Sequence, residues 1–384
     1  MGLKKTCKSA LNVNGRLTDF IYQRFGKGQE DLIRASSYLS KNDCIEDYTE
    51  LQLFRKSIKE GATRWYSTDA NLSNRLIYGI WESMFGGFSD EKIYTLPSIE
   101  HGLIFHDSIF TDSRYTARPS IVTFGDYRYG VIRRFVSRPI FRVGPYIQYA
   151  KPYYPEEEMS VKKKRLGKTL LVFPSHGTNE SEVSHDQIAY LEKVKCLAKD
   201  FDSVIVNVFW WNLCDPIVER FQSEGFKVVS AGFRDDPRFL SRLKTIIELS
   251  DLVVGDEIGT HVGYALSLER PYIHLPIHKK KNVHFKDKNE MSGIDVKIKS
   301  DLIRYFDGEH SLTEQLNACD PYWGFSHSKS EDELSVICSI SQDIARLSNN
   351  WVGQYKRAAK TLLGLFVEKP TEKRLLSEAM TVIQ

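Results

Sequence analysis

Apolar positions fall along this chain in two rhythms. Before about residue 90 they recur at helical spacing, and over residues 30–39, 46–60 and 72–84 they predict helices with one apolar face. From residue 92 short apolar runs take over. One covers 92–99 and ends at Pro97 and Ser98; another covers 120–124 and stops at Gly125. Both read as strands that end in turn-forming residues. Beyond residue 168 the two rhythms alternate, with strands predicted over 169–173, 203–208, 227–230 and 252–254 and helices over 186–199, 217–223, 237–249 and 260–268. Repeating βα units predict a parallel sheet covered by helices on both faces, an α/β fold. Residues 331–384 return to helical spacing.

Residues 153–168 (YYPEEEMSVKKKRLGK) are polar and charged and contain a proline, the composition of an interdomain linker. At 384 residues the chain exceeds what one core usually organises. The expected organisation is a first domain over 1–155 and a second over 165–330, with C-terminal helices over 331–384 placed to pack back on the first. A hydrophobic fraction of 41% can supply both cores. The net charge of +3, from 53 basic and 50 acidic residues, argues against a nucleic-acid partner. The six cysteines, Cys7, Cys44, Cys196, Cys214, Cys319 and Cys338, form no CxxC pair, which argues against a zinc ribbon or disulfide framework and suits a reducing cytoplasm. No apolar run reaches about 18 residues, and the amino terminus lacks the apolar core of a signal peptide.

Four loops after predicted strands hold the candidate chemistry, because α/β sheets bind ligands beyond the carboxyl ends of their strands. The first, DEIGTHVG over 256–263, breaks into a helix. Gly259 and Gly263 would let a ligand approach the backbone, Thr260 and His261 would supply donors to a phosphate at the helix start, and Glu257 would receive ribose hydroxyls. An ordinary capped helix is the alternative. The second, FPSHGTNES over 173–181, gathers Ser175, His176, Gly177 and Thr178; its alternative is a proline-bounded loop with a satisfied histidine. The third begins at Ser230. Gly232 permits a tight exit from a strand, Phe233 or Arg234 could cover a nucleobase or ribose, and Asp235 or Asp236 could cap the helix after Pro237. Arg238 and Arg242 stand one turn apart and could face a phosphate, but read first as solvated surface arginines. The fourth, SIEHGLIFHD over 98–107, offers His101 as a general base oriented by Glu100 or Asp107, or either carboxylate as the base itself.

Together HG at His101-Gly102, GPYIQYA over 144–150, FPSHGT over 173–178, AGFRDDPRFLSRLKTIIELSD over 231–251 and GTHVGYAL over 259–266 resemble a GT-B-fold glycosyltransferase, in particular those of bacterial capsule and O-antigen synthesis. These motifs span residues 100–271, under half of the chain. The resemblance implies two Rossmann-like domains facing a cleft, flanked by a helical N-terminal region and a helical C-terminal tail. It also implies a nucleotide-sugar donor (CMP-, UDP-, GDP- or dTDP-linked) in the second domain and a glycan or lipid-linked acceptor. After Glu257 the next glutamate is Glu269, which departs from the paired glutamates of many retaining members and favours inversion. The donor phosphate would be met by the helix start, His176 and His261, without a resident metal or cofactor. A histidine after a strand is also similar to glycerophosphotransferases of teichoic-acid synthesis, while a nucleotide-sugar 2-epimerase and a non-catalytic scaffold share the architecture. The basic runs 162–165 and 279–281, with Tyr153, Tyr154 and Tyr272, would support peripheral contact with the inner membrane face.

Overall fold

The computed structural model describes residues 29–57, 77–86, 95–100, 102–109, 118–176, 181–185, 187–277, 279–283 and 293–348. Two parallel sheets organise them. The smaller holds β1 (Ser98–Ile99), β2 (Ile121–Thr123) and β3 (Ile140–Arg142) in that order, with Ser98 beside Ile121 and Ile121 beside Ile140. The larger holds β4 (Thr169–Phe173), β6 (Ser203–Asn207), β7 (Lys227–Val229), β8 (Leu252–Gly255) and β9 (Tyr272–His274), in the order β7-β6-β4-β8-β9. The chain moves outward from β4 on one side, then returns to build β8 and β9 on the other. That reversal beside β4 is the switch point at which such sheets open a crevice. A short antiparallel ribbon pairs β5 (Ser181–His185) with β10 (Lys279–Val283), joining the segments that follow β4 and β9.

The helices are α1 (Gln29–Leu39), α2 (Thr49–Ser57), α3 (Ile80–Phe85), α4 (Asp126–Arg133), α5 (Glu156–Leu166), α6 (Gln187–Ala198), α7 (Pro216–Ser223), α8 (Phe239–Glu248), α9 (Thr260–Ser267), α10 (Gly293–Ile303), α11 (Leu312–Trp323) and α12 (Glu331–Ser348). β4 shows why the second sheet was so legible. All five of its residues are buried, and successive side chains enter opposite cores. Leu171 and Phe173 join the core shared with the first sheet, whereas Leu170 and Val172 join the core beneath α6 and α7. α8 carries Phe239, Leu240, Leu243, Ile246 and Ile247 on one buried face.

Three expectations change. The 153–168 segment is the helix α5 rather than a linker: Glu156, Glu157 and Glu158 fill its first turn and Lys163, Lys164 and Arg165 its last, matching the helix dipole at both ends. Two residues of its basic run are engaged, Lys162 with Glu46 and Glu158 and Lys163 with Asp251, while Lys164 and Arg165 are exposed. Tyr154 and Tyr272 are buried, so they present no membrane-facing aromatic surface. Residues 29–57 pack on the second sheet instead of joining the first domain. Ser36 Oγ donates to the Asp235 carbonyl (2.6 Å), Gln52 to the Leu213 carbonyl (2.9 Å), and the Ser230 N–H to the Cys44 carbonyl (3.1 Å). The helix predicted over 72–84 is broken where it is described, because Tyr78 and Gly79 are both left-handed, with φ of 55° and 64°, before α3 begins.

α11 and α12 lock the two sheets together. Gln315 of α11 covers the edge of β9, accepting from the Tyr272 N–H and donating to the Tyr272 carbonyl, both at 3.0 Å. Trp323 lies on the bare Cα of Gly263, and any Cβ there would overlap its indole. α12 reaches the first sheet, where Ser341 and Ser120 share a buried hydrogen bond of 2.6 Å. Residues 349–384 lie outside the described residues. Among the described residues, no helix is long and apolar enough to cross a membrane.

Candidate functional site

A cavity of about 1250 Å³ opens where the two sheets face each other. One wall follows the carboxyl ends of β4, β6, β7, β8 and β9; the other is the loop 102–108 after β1; α10 contributes Asp295, Lys299 and Ile303 at the side. Its volume exceeds the ~300–1,000 Å³ of typical small-molecule sites and has room for a nucleotide together with a second substrate.

The second-sheet wall is tied together across the switch point. Asp256, just after β8, accepts from the Ser175 N–H (2.7 Å) and the Ser175 hydroxyl (2.8 Å), fixing the loop after β4 to the loop after β8. His176 stacks on Phe209, which follows β6, with ring centroids 4.3 Å apart. His261 stacks on Phe173 at 5.0 Å and meets Tyr272 edge-on. Gly259 precedes α9 in an extended conformation and brings no side chain to cap it. The first turn of α9 therefore borders the cavity with its helix dipole uncapped by a side chain, a setting that suits an anion. Thr260 Oγ1 accepts the Leu103 N–H at 3.0 Å, which leaves its own proton for a ligand and joins the two walls directly. Glu257 lies 3.8 Å from Lys299 Nζ, and Lys299 is also 3.4 Å from Asp295. Lys299 is the one Lys or Arg lining the cavity among the described residues.

The first-sheet wall is clamped from behind by one buried cation. Arg128 of α4 is fully buried and pairs with fully buried Glu100. It also donates to the carbonyls of His106 (3.0 Å) and Ser108 (3.2 and 3.1 Å). Thr123 and Tyr146 complete the Glu100 shell through its carboxylate (2.6 Å) and its carbonyl (2.7 Å). Tyr127 donates to the Phe105 carbonyl. On this scaffold Ser108 Oγ and His106 Nδ1 stand 2.6 Å apart, and both residues line the cavity. Burial holds the His106 pKa below its ordinary value, helped by Arg128 and opposed by Asp295, Glu100 and Asp107.

Of the residues singled out by sequence, Asp107, Ser175, His176, Glu257, Gly259, Thr260 and His261 line this cavity. His101, Gly177 and Thr178 lie outside the described residues. Glu100 is neither a base nor an orienter in the cavity, because its carboxylate is enclosed by Arg128 and Thr123. Phe233 covers no nucleobase: it is fully buried against Phe54 and Trp210. Arg234 turns to Asp235, whose carboxyl is raised by burial against the opposing charge of Arg234. Gly232, with a φ of 105°, makes the expected tight exit after β7, and the Arg242 guanidinium fills the space beside it where a donor group was expected. Arg242 itself is fully buried rather than solvated; it pairs with Asp236 (2.7 Å) and donates to the carbonyls of Ser40 and Asn42. Asp236, and not Asp235, receives the Arg238 N–H ahead of α8. Gly263 admits Trp323 where a ligand was expected.

Sequence reasoning missed Asp256, Asn207, Phe209, His106, Ser108, Asp295 and Lys299. Asp256 and Phe209 follow strands that were recognised and Asn207 ends one, but the expectation settled on their neighbours as donors. His106 lies in a run already singled out, but the HG pair drew attention to its neighbour. Asp295 and Lys299 sit on a helix that was not recognised and gave no local signal.

No protein-family description matches the sequence, and no curated protein matches it. Solved structures do. The UDP-GlcNAc 2-epimerase of Methanocaldococcus jannaschii shows 12% identity and a TM-score of 0.29, over 62% of this chain and 63% of that one. The UDP-GlcNAc 2-epimerase of Neisseria meningitidis, bound to UDP-GlcNAc, shows 13% identity and a TM-score of 0.26, over 66% and 63%. A UDP-glucose:anthocyanidin 3-O-glucosyltransferase in complex with UDP shows 12% identity and a TM-score of 0.27, over 84% and 68%. The chain spans 63% of the length of each epimerase. Likeness at this level specifies no activity. What the topology itself defines is an α/β protein with two parallel sheets and a ligand-sized cavity between them.

Proposed function

We propose that the chain is a glycosyltransferase that moves a sugar from a nucleotide-activated donor to a glycan or lipid-linked acceptor of a bacterial surface polysaccharide, with inversion and without a resident metal. One observation carries the reading: the cavity joins the switch point of a five-stranded parallel sheet to a clamped loop of a second sheet. A donor phosphate is assigned to the start of α9, with Thr260, His176, His261 and Lys299 offsetting its charge. The nucleobase is assigned to the wall of Phe209 and Asn207, and the acceptor to the side of the 102–108 loop, where Asp107 is a candidate base; His101, the other candidate, lies outside the described residues.

The test is acceptor-dependent nucleotide release. Purified protein is incubated with CMP-, UDP-, GDP- and dTDP-sugars and CDP-glycerol, with and without Mg²⁺ and with lipid-linked oligosaccharide, and the free nucleotide is quantified. Sugar transfer with nucleotide release is expected. Turnover of CDP-glycerol alone would make the chain a glycerophosphotransferase, and epimerisation of free donor without acceptor would make it a 2-epimerase. Nucleotide binding without any turnover would make it a scaffold.

A further inference from the structure

Within the transferase reading, on which this inference rests, we propose that His106 is the general base that deprotonates the acceptor hydroxyl through Nε2, and that Ser108 is the residue that positions its ring. Three observations lead there. His106 Nδ1 is occupied by Ser108 Oγ at 2.6 Å, so Nε2 is the ring nitrogen that remains for a substrate. The backbone carrying both residues is held by Arg128 through the carbonyls of His106 and Ser108, which removes the looseness expected of a surface loop. Finally, Leu103 of the same loop is bonded to Thr260 at the start of α9. Three residues reach at most about 10 Å, so the His106 backbone lies within roughly that distance of the Leu103–Thr260 contact, on the same cavity.

The charged groups around the imidazole are Arg128 on α4, Asp295 and Lys299 on α10, and Glu100 and Asp107 on its own segment. Burial and Arg128 together favour the neutral ring at neutral pH, the form that accepts a proton. Asp107 is exposed, and water solvates its carboxylate. The base role requires the tautomer in which Nδ1–H donates to Ser108 Oγ and the Nε2 lone pair is open; the opposite direction, Ser108 O–H to Nδ1, would put the proton on Nε2. In the step, the acceptor O–H bond breaks and its proton moves to Nε2 while the acceptor oxygen bonds to the anomeric carbon. The bond from that carbon to the phosphate oxygen breaks, and its electron pair leaves with the nucleotide. The imidazolium then returns its proton to water.

The experiment combines two variants with one spectroscopic measurement on the unaltered protein. His106→Gln is expected to keep nucleotide-induced thermal stabilisation and to lose transfer by roughly 10²–10⁴-fold. Ser108→Ala is expected to lower kcat by about tenfold with KM unchanged and to shift the acid limb of the pH profile, since it removes the hydrogen-bond partner that holds the ring at Nδ1. Long-range ¹H–¹⁵N spectra of the wild-type protein should show His106 neutral at pH 7 as the Nδ1–H tautomer. Wild-type transfer rates in His106→Gln, or an Nε2–H tautomer, would overturn the assignment while leaving the transferase reading in place. A wild-type protein that no nucleotide stabilises would remove the transferase reading and the base role together.

Discussion

The two walls of the cavity are held by different forces. The second-sheet wall stands on five parallel strands whose central member is buried on both faces, and its loops are laced to one another by Ser175–Asp256 and by ring stacking. The first-sheet wall stands on strands of two or three residues and takes its shape from one buried ion pair, Arg128–Glu100, behind the 102–108 loop. One wall is distributed over many apolar contacts, and the other is concentrated in a few charged atoms. The concentrated wall should fail abruptly when a single residue changes.

The largest expected effect follows from that. Arg128→Met leaves Glu100 charged and buried without its partner, which should cost about 3–5 kcal/mol in denaturant unfolding. Replacing both partners with methionine should recover only the part owed to the unpaired Glu100 charge, because the carbonyls of His106 and Ser108 still lack the Arg128 donor. If Arg128→Met costs under about 1 kcal/mol, the first wall is held by something else. Next comes Gly263→Ala, whose added methyl overlaps Trp323 and should cost about 1–3 kcal/mol, read as a lowered Tm. Asp256→Ala takes the acceptor from two groups of Ser175 and should cost about 1–3 kcal/mol. It should also weaken nucleotide-induced stabilisation, and unchanged nucleotide response would show that the lacing of the second wall is irrelevant to binding.

The smallest effect is at the surface and depends on pH. Burial raises the Glu46 carboxyl, but hydrogen bonds and charge from Lys162 and Lys227 overcome this and hold it down at about 2, against an ordinary 4.5. A carboxyl lowered on folding adds stability that is fully present above the unfolded value and is lost as pH falls from about 4.5 toward about 2. Glu46→Gln should therefore cost less than about 1 kcal/mol at pH 7 and flatten the acid-unfolding curve below pH 4.5. An unchanged acid limb would mean that the contacts from α5 and β7 to Glu46 carry no stability.

The contrast between the walls also explains what the sequence revealed. The strands β4, β6, β7 and β8 are apolar runs bounded by turns, and each was placed within one residue or two of its observed ends. The loops that follow them were found by position, which is why Ser175, His176, Thr260 and His261 were named in advance. The first sheet gave a weaker signal, because β3 and α4 are short and carry charged residues whose partners are distant in sequence. Arg128 reads as a surface residue until Glu100 is placed behind it. α5 was mistaken for a linker because its charges look like those of a solvated tether, and only their order, acidic first and basic last, marks a helix. Gly263 was recognised as a necessary glycine, yet it makes room for a protein side chain instead of a ligand, whereas Gly232 makes the tight exit expected of it, against the Arg242 guanidinium. A glycine reports close approach without naming what approaches.

The most direct test of the central claim is thermal unfolding of the full chain with CMP, CDP, UDP, GDP and dTDP, each with and without Mg²⁺. A ligand at 100 times its Kd adds about 2.7 kcal/mol to the folded state. At least one nucleotide is expected to raise the Tm, and His261→Ala is expected to reduce that shift. No shift with any nucleotide, with or without Mg²⁺, would contradict the assignment of the cavity as a nucleotide-sugar site.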